Sequence, residues 1–120
     1  MDDDEIVRKV AGEILKEMGY DVEFAPDGAE AIRLYKTAMA SSHPFDVVIM
    51  DLTVPGGMGG KEAIQKFHEV DPEVKAIVSS GHSQDPIMAN YREYGFYEVI
   101  AKPFSSIELG RIMHKVIVEP

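Results

Sequence analysis

Phe45-Asp46-Val47-Val48-Ile49-Met50 is an apolar run that stops abruptly at Asp51. Its length and lack of polar alternation are those of a strand buried on both faces, as in a parallel sheet covered by helices. Working outward on the upstream side, Ser41 to Pro44 reads as a loop. Before it, Ala31, Ile32, Leu34, Tyr35 and Ala38 recur at helical spacing over Gly28 to Ala40, with Asp27 placed to cap the helix. Asp21 to Ala25 reads as a short strand ended by Pro26. Ile6, Val7, Val10, Ala11, Ile14, Leu15 and Met18 mark a first helix stopped by Gly19.

Downstream, a glycine-rich loop from Pro55 to Gly60 leads into a helix carrying Ala63, Ile64, Phe67 and Val70, closed by Asp71-Pro72. Val74 to Ser79 is the next strand and Asp85 to Tyr94 the next helix, ended by Gly95. Phe96 to Ala101 is the last strand and Ser105 to Val116 the last helix. Strands alternating with helices through short connections predict a parallel sheet with helices on both faces. Ligands of such sheets bind outside the carboxyl ends of the strands, so the polar residues there carry the interest: Asp51, Ser80 and Lys102.

The chain has 120 residues, enough for a single domain with one core. Its formal net charge of -9 argues against direct binding to nucleic acid or to anionic membranes. No apolar run approaches the roughly 18 residues that a membrane span needs, and the acidic start differs from a signal peptide, so a cytoplasmic location is expected. With no cysteine, disulfides, thiolate metal sites and cysteine nucleophiles are excluded.

Asp2-Asp3-Asp4-Glu5 immediately precedes the first helix and belongs at the same sheet edge as Asp51, Ser80 and Lys102. Acids, a nucleophilic carboxylate, a hydroxyl and an ammonium are the groups that phosphoryl transfer to a carboxylate requires. The acids hold a hard divalent cation, and the hydroxyl and ammonium hold the phosphoryl oxygens. Each residue alone has a plainer reading, as a turn aspartate, a turn serine, a solvated lysine or a frayed acidic terminus. Only the combination points to chemistry.

Asp2-Asp3-Asp4, the run Val47 to Gly56 around Asp51, Val78-Ser79-Ser80-Gly81 and Lys102-Pro103-Phe104 resemble, in order and spacing, the response-regulator receiver family. The resemblance covers nearly the whole chain. It implies a single receiver domain over residues 1–120, of flavodoxin-like or CheY-like fold. This fold is a three-layer sandwich around a parallel sheet, here with four strands and five helices. Asp51 matches the phosphoacceptor, and Asp2 and Asp3 match the acids that hold Mg²⁺ or Mn²⁺ together with Asp51 and the backbone carbonyl of Thr53. Ser80 matches the hydroxyl that bonds a phosphoryl oxygen. Lys102 matches the lysine that pairs with the phosphoryl group, next to a cis bond to Pro103. The implied partner is a histidine kinase or phosphotransfer domain. The Pro-Gly-Gly-Met-Gly-Gly loop is similar to that of receivers attached to hybrid sensor kinases, with a stand-alone regulator as the alternative.

Other readings fail on particular residues. The segment Gly56 to Lys61 resembles a phosphate loop, but Pro55 stands where its first glycine belongs and Glu62 replaces the required Ser or Thr. A haloacid-type phosphotransferase expects an acid where Thr53 stands. His43, His68, His82 and His114 lack metal-ligand spacing and read as surface or loop residues.

Two departures from the family pattern matter. Val99 occupies the usual aromatic position of the last strand, with Tyr97 two residues earlier, which leaves the family's readout in doubt. In addition, only Met1 precedes the paired acids, where the family has its first strand, so the chain reads as truncated at its N-terminus. In the family's sheet order, that strand lies between the second and third, and its neighbours would face a gap. Three closures are expected to compete: direct pairing of the flanking strands, insertion by a second copy, or a C-terminal strand at Val116-Ile117-Val118. Self-association is favoured among them, and metal binding is expected to be weakened by acids on a mobile terminus. A phosphorylation-independent interaction or dimerisation module is the alternative function.

Overall fold

Ala76–Ser80, the central strand, is buried at all five residues, and the rest of the molecule is arranged around it. The computed structural model describes residues 1–82 and 84–118. In chain order the elements are α1 (Glu5–Glu17), α2 (Gly28–Met39), β1 (Val48–Asp51), α3 (Gly60–Val70), β2 (Ala76–Ser80), α4 (Pro86–Ala89), β3 (Glu98–Ala101) and α5 (Ser106–Val118). The sheet is parallel in the order β1-β2-β3. Asp51 lies opposite Ser79 and Ser80 opposite Ala101, so all three strands end at one edge.

Strand alternation divides the core in two. Met50, Ala76 and Val78 pack with Ala31, Tyr35, Ala63, Ile64 and Phe67 on the α2–α3 side. Ile77 and Ile100 pack with Leu15, Leu109, Ile112, Met113 and Val116 on the α1–α5 side. This is the expected three-layer sandwich, and the apolar area removed from water at about 25 cal/mol per Å² holds it together. Polar ties fasten the layers. The Tyr35 hydroxyl donates to Asp71 at 2.6 Å while its ring meets Phe67 edge-on. A nearly buried Glu98 carboxylate pairs with Lys115 of α5 at 3.0 Å.

The helix caps follow the residues. Asp27 accepts from the Glu30 amide at 3.0 Å, as its position predicts. Asp4, which the sequence places in an acidic cluster, caps α1 by accepting from the Ile6 amide at 2.9 Å. The fourth helix is shorter than expected: only Pro86–Ala89 is helical, and turns occupy 90–95 up to Gly95, whose φ of +100° suits only glycine well.

Of the four expected strands, three pair. Asp21 to Ala25 forms no ladder, because among the described residues no strand lies beside it. The flanking segments do not close on each other, and Val116-Ile117-Val118 is the end of α5, so two of the three expected closures are not the ones adopted. Between Ala25 and β1 the backbone of Met1 and Asp2 forms a single rung. The Met1 amine donates to the Ile49 carbonyl at 2.6 Å, the Asp51 amide donates to the Met1 carbonyl at 2.9 Å, and the Asp2 amide donates to Ala25 at 3.1 Å. Below that rung lies an open cleft of about 680 Å³.

Candidate functional site

Asp51 is the last residue of β1, and parallel pairing with β2 fixes its backbone. The loop that follows is pressed back against it. A Cβ on Gly59 would stand 2.5 Å from the Leu52 carbonyl oxygen, and one on Gly60 3.0 Å from that of Asp51. Glycine at these two positions lets α3 begin directly beside the acceptor strand. Thr53 lies on this loop and is exposed.

The other strand ends bring in the expected partners. Ser80 closes β2, is buried, and its hydroxyl oxygen accepts from the His82 amide at 2.9 Å, which leaves the hydroxyl proton free to donate. Lys102 follows β3, its amide donating to the Ser80 carbonyl at 2.9 Å and its peptide bond to Pro103 cis. Its ammonium lies 2.9 Å from an Asp2 oxygen and 3.2 Å from an Asp51 oxygen. Oxygens of Asp2, Asp3 and Asp51 lie within 4.8 Å of one another. The sequence-predicted residues Asp2, Asp3, Asp51 and Lys102 therefore converge, with Ser80 at the adjoining strand end.

The acids are not held as a loose terminus would hold them. Asp2 is only 5% exposed. Its amide is bound by Ala25, its carbonyl accepts from the Arg8 guanidinium at 2.7 Å, and one side-chain oxygen accepts from the Asp4 amide at 3.0 Å. Asp2 is thus bonded and buried, while Asp3 is exposed. Arg8 and the Met1 rung were missed in the sequence. The signal for Arg8 was its place one turn into α1, facing back toward the acids.

Electrostatics follow from crowding. Burial first, then the neighbouring Asp2 charge, raise the Asp51 carboxyl above the usual range, with Lys102 opposing. Burial pulls the Lys102 ammonium down, but hydrogen bonds and charges from Asp2 and Asp51 outweigh it and the net shift is upward. Lys102 is thus held as a cation between two acids. An all-oxygen donor set with excess negative charge suits a small, hard divalent ion.

An α/β module with an acidic, amine-bridged pocket at the carboxyl edge of its sheet is the class that fold and site define. The family model of the response regulator receiver domain matches residues 1–114. The chain is 32% identical over 117 residues to the chemotaxis protein CheY of Thermotoga maritima, covering 97% of this chain and 92% of that one. The chain belongs to the response regulator receiver family. Among solved structures, CheY in the CheX–CheY–BeF₃–Mg complex of Borrelia burgdorferi shares the fold with a TM-score of 0.88 at 24% identity, over 98% of this chain and 86% of that one. So does the receiver domain of the sensor histidine kinase PA1611 of Pseudomonas aeruginosa, with magnesium in its active-site cleft. Its TM-score is 0.84 at 24% identity, over 99% of this chain and 94% of that one. Several longer relatives are matched over only 14 to 22% of their length. Among the described residues, no helix is long and apolar enough to cross a membrane.

Proposed function

We propose that residues 1–120 work as one receiver module in a cytoplasmic phosphorelay and that Asp51 accepts the phosphoryl group from a histidine kinase or phosphotransfer domain. The observation that carries this reading is the Lys102 ammonium set between Asp2 and Asp51 beside three converging carboxylates. An Asp51 oxygen attacks the phosphorus of a phosphohistidine. The new P–O bond forms as the P–N bond breaks, and the imidazole nitrogen leaves with the bonding pair. Lys102 exchanges its carboxylate partner for a phosphoryl oxygen, and the Ser80 hydroxyl donates to another.

Asp2, Asp3 and Asp51, with the Thr53 carbonyl, would hold Mg²⁺ or Mn²⁺, and such an ion supplies positive charge against the phosphoryl oxygens. The magnesium in the PA1611 receiver supports this choice of ion. The glycine-rich loop supports a hybrid kinase as the parent protein.

Incubation with acetyl phosphate and Mg²⁺, followed by intact mass, tests the reading. The wild type is expected to gain one phosphoryl group and Asp51→Ala none. A wild type that stays unlabelled overturns it in favour of a phosphorylation-independent interaction module.

A further inference from the structure

We propose that Gly28, the first residue of α2, is a positioning residue for the acidic pocket. It acts through a strut, the backbone of Met58 and Gly59, that sets where the Thr53 carbonyl stands. The inference rests on the reading that this carbonyl joins Asp2, Asp3 and Asp51 around a divalent ion.

A line of backbone contacts runs from the helix to that carbonyl. The Gly28 amide donates to the Met58 carbonyl at 2.7 Å. Gly59 follows directly in the chain, and a Cβ on it would stand 2.5 Å from the Leu52 carbonyl oxygen and 3.0 Å from the Val54 nitrogen. That nitrogen belongs to the same planar peptide unit as the Thr53 carbonyl, so a displacement of one turns the other. The Gly57 amide closes the arch by donating to the Val54 carbonyl at 3.1 Å. Among the described residues, no backbone amide donates to the Thr53 carbonyl, which leaves its lone pairs to a ligand.

Space, not conformation, requires glycine at position 28, since its φ is not positive. A Cβ there would lie 2.9 Å from the Met58 carbonyl oxygen, and equally close to Met58 Cγ and Ala63 Cβ. The contact with a backbone oxygen is not relieved by a change of rotamer, so any side chain at 28 drives Met58 away from α2. The helix is the fixed side of this contact. Asp27 caps it through the Glu30 amide at 3.0 Å, Ala31 and Tyr35 are buried in the core, and the Tyr35 hydroxyl bonds Asp71. The loop is the yielding side, exposed at Pro55, Gly56 and Gly57. A displacement of Met58 therefore passes through Gly59 to the Thr53–Val54 peptide rather than into the core.

The test follows amide nitrogen shifts and amide hydrogen exchange by NMR as the intact protein is titrated with Mg²⁺ alone. In the wild type, Mg²⁺ should move the Asp51 and Val54 nitrogens together, the second because it shares a peptide unit with the Thr53 carbonyl. Coupling between sites is reciprocal, so saturating Mg²⁺ should also slow exchange at the Gly28 amide by about threefold or more. Gly28→Ala should lower Mg²⁺ affinity about tenfold. It should also at least halve the Val54 shift at saturation while the Asp51 shift persists. Tyr35→Phe, in the same helix but remote from the loop, should keep the affinity within about twofold of wild type. Unchanged Gly28 exchange in saturating Mg²⁺ overturns the proposal, and that result decides it if Gly28→Ala does not fold. So does a full Val54 shift in Gly28→Ala, or an equal loss of affinity in Tyr35→Phe. If Mg²⁺ moves neither nitrogen in the wild type, the metal site itself is refuted and the strut with it. None of these readouts depends on phosphorylation at Asp51.

Discussion

The two edges of β1 are built from the same four residues and live in different surroundings. Toward β2, every amide and carbonyl is in a ladder, and the side chains around it are the most deeply buried in the molecule, with Met50, Phe67 and Val78 wholly shielded. Toward Ala25, a single rung made by Met1 and Asp2 stands above an open cleft. The candidate site straddles this divide, with Asp51, Ser80 and Lys102 on the laddered side and Asp2 and Asp3 on the other. Sheet pairing alone positions the acceptor and the lysine, whereas the acids depend on a few bonds at one end of the chain.

The sharpest way to break this contrast is to truncate a large side chain on each side. Phe67→Ala on the laddered side should cost about 3–5 kcal/mol in urea unfolding. Phe24→Ala, whose ring is 41% exposed where it covers Gly12, should cost about 1 kcal/mol or less. Similar losses at the two positions would mean that the cleft side is as well packed as the ladder.

Metal binding probes the acid side. Asp2→Asn should weaken Mg²⁺ affinity by about tenfold or more, near 1.4 kcal/mol, in a calorimetric titration. It should leave secondary structure by circular dichroism intact.

Two carboxylates should respond to pH in opposite senses. Folding raises the Asp51 pKa, so its ionised form costs stability above that value and the cost fades as pH falls through it. Asp51→Asn should therefore melt higher than the wild type at neutral pH without metal, and the advantage should shrink on acidification. For Glu98, burial acts to raise the pKa, but the Lys115 hydrogen bond and the other contacts outweigh it and the net shift is downward. Its contribution is present above the unfolded pKa and lost as pH falls through the folded one. Because Lys115 is 45% exposed and screened, Glu98→Gln should cost only about 0.5–1 kcal/mol at neutral pH, and less in acid. Melting curves of both variants across pH check the signs. Tyr35→Phe should cost about 1 kcal/mol for the lost bond to Asp71, read by thermal unfolding.

Much of this was readable from residue order. The run into Asp51, the caps and the glycine stops placed the helices and three strands, because burial on both faces and local turn chemistry leave direct marks on sequence. Convergence of Asp2, Asp3, Asp51 and Lys102 was also legible, since strand ends in a parallel sheet share an edge. Three features were not. Asp21 to Ala25 has strand-like residues, yet a strand is a relation between two segments, and its neighbour is a cleft. The helix expected from Asp85 to Tyr94 shrank to Pro86–Ala89, where turns compete with weak local preference. The anchoring of Asp2 through Ala25 and Arg8 comes from residues distant or unremarkable in sequence.

The bond between Asp2 and Lys102 joins positions separated by 100 residues. The acid is made before the amine, so the pocket stays incomplete until the segment that carries Lys102 has been made, however early the first helices form. A nascent chain that has not yet reached Lys102 has no positive partner for the Asp51 carboxylate. The contact thus ties assembly of the acidic pocket to synthesis of both segments that form it.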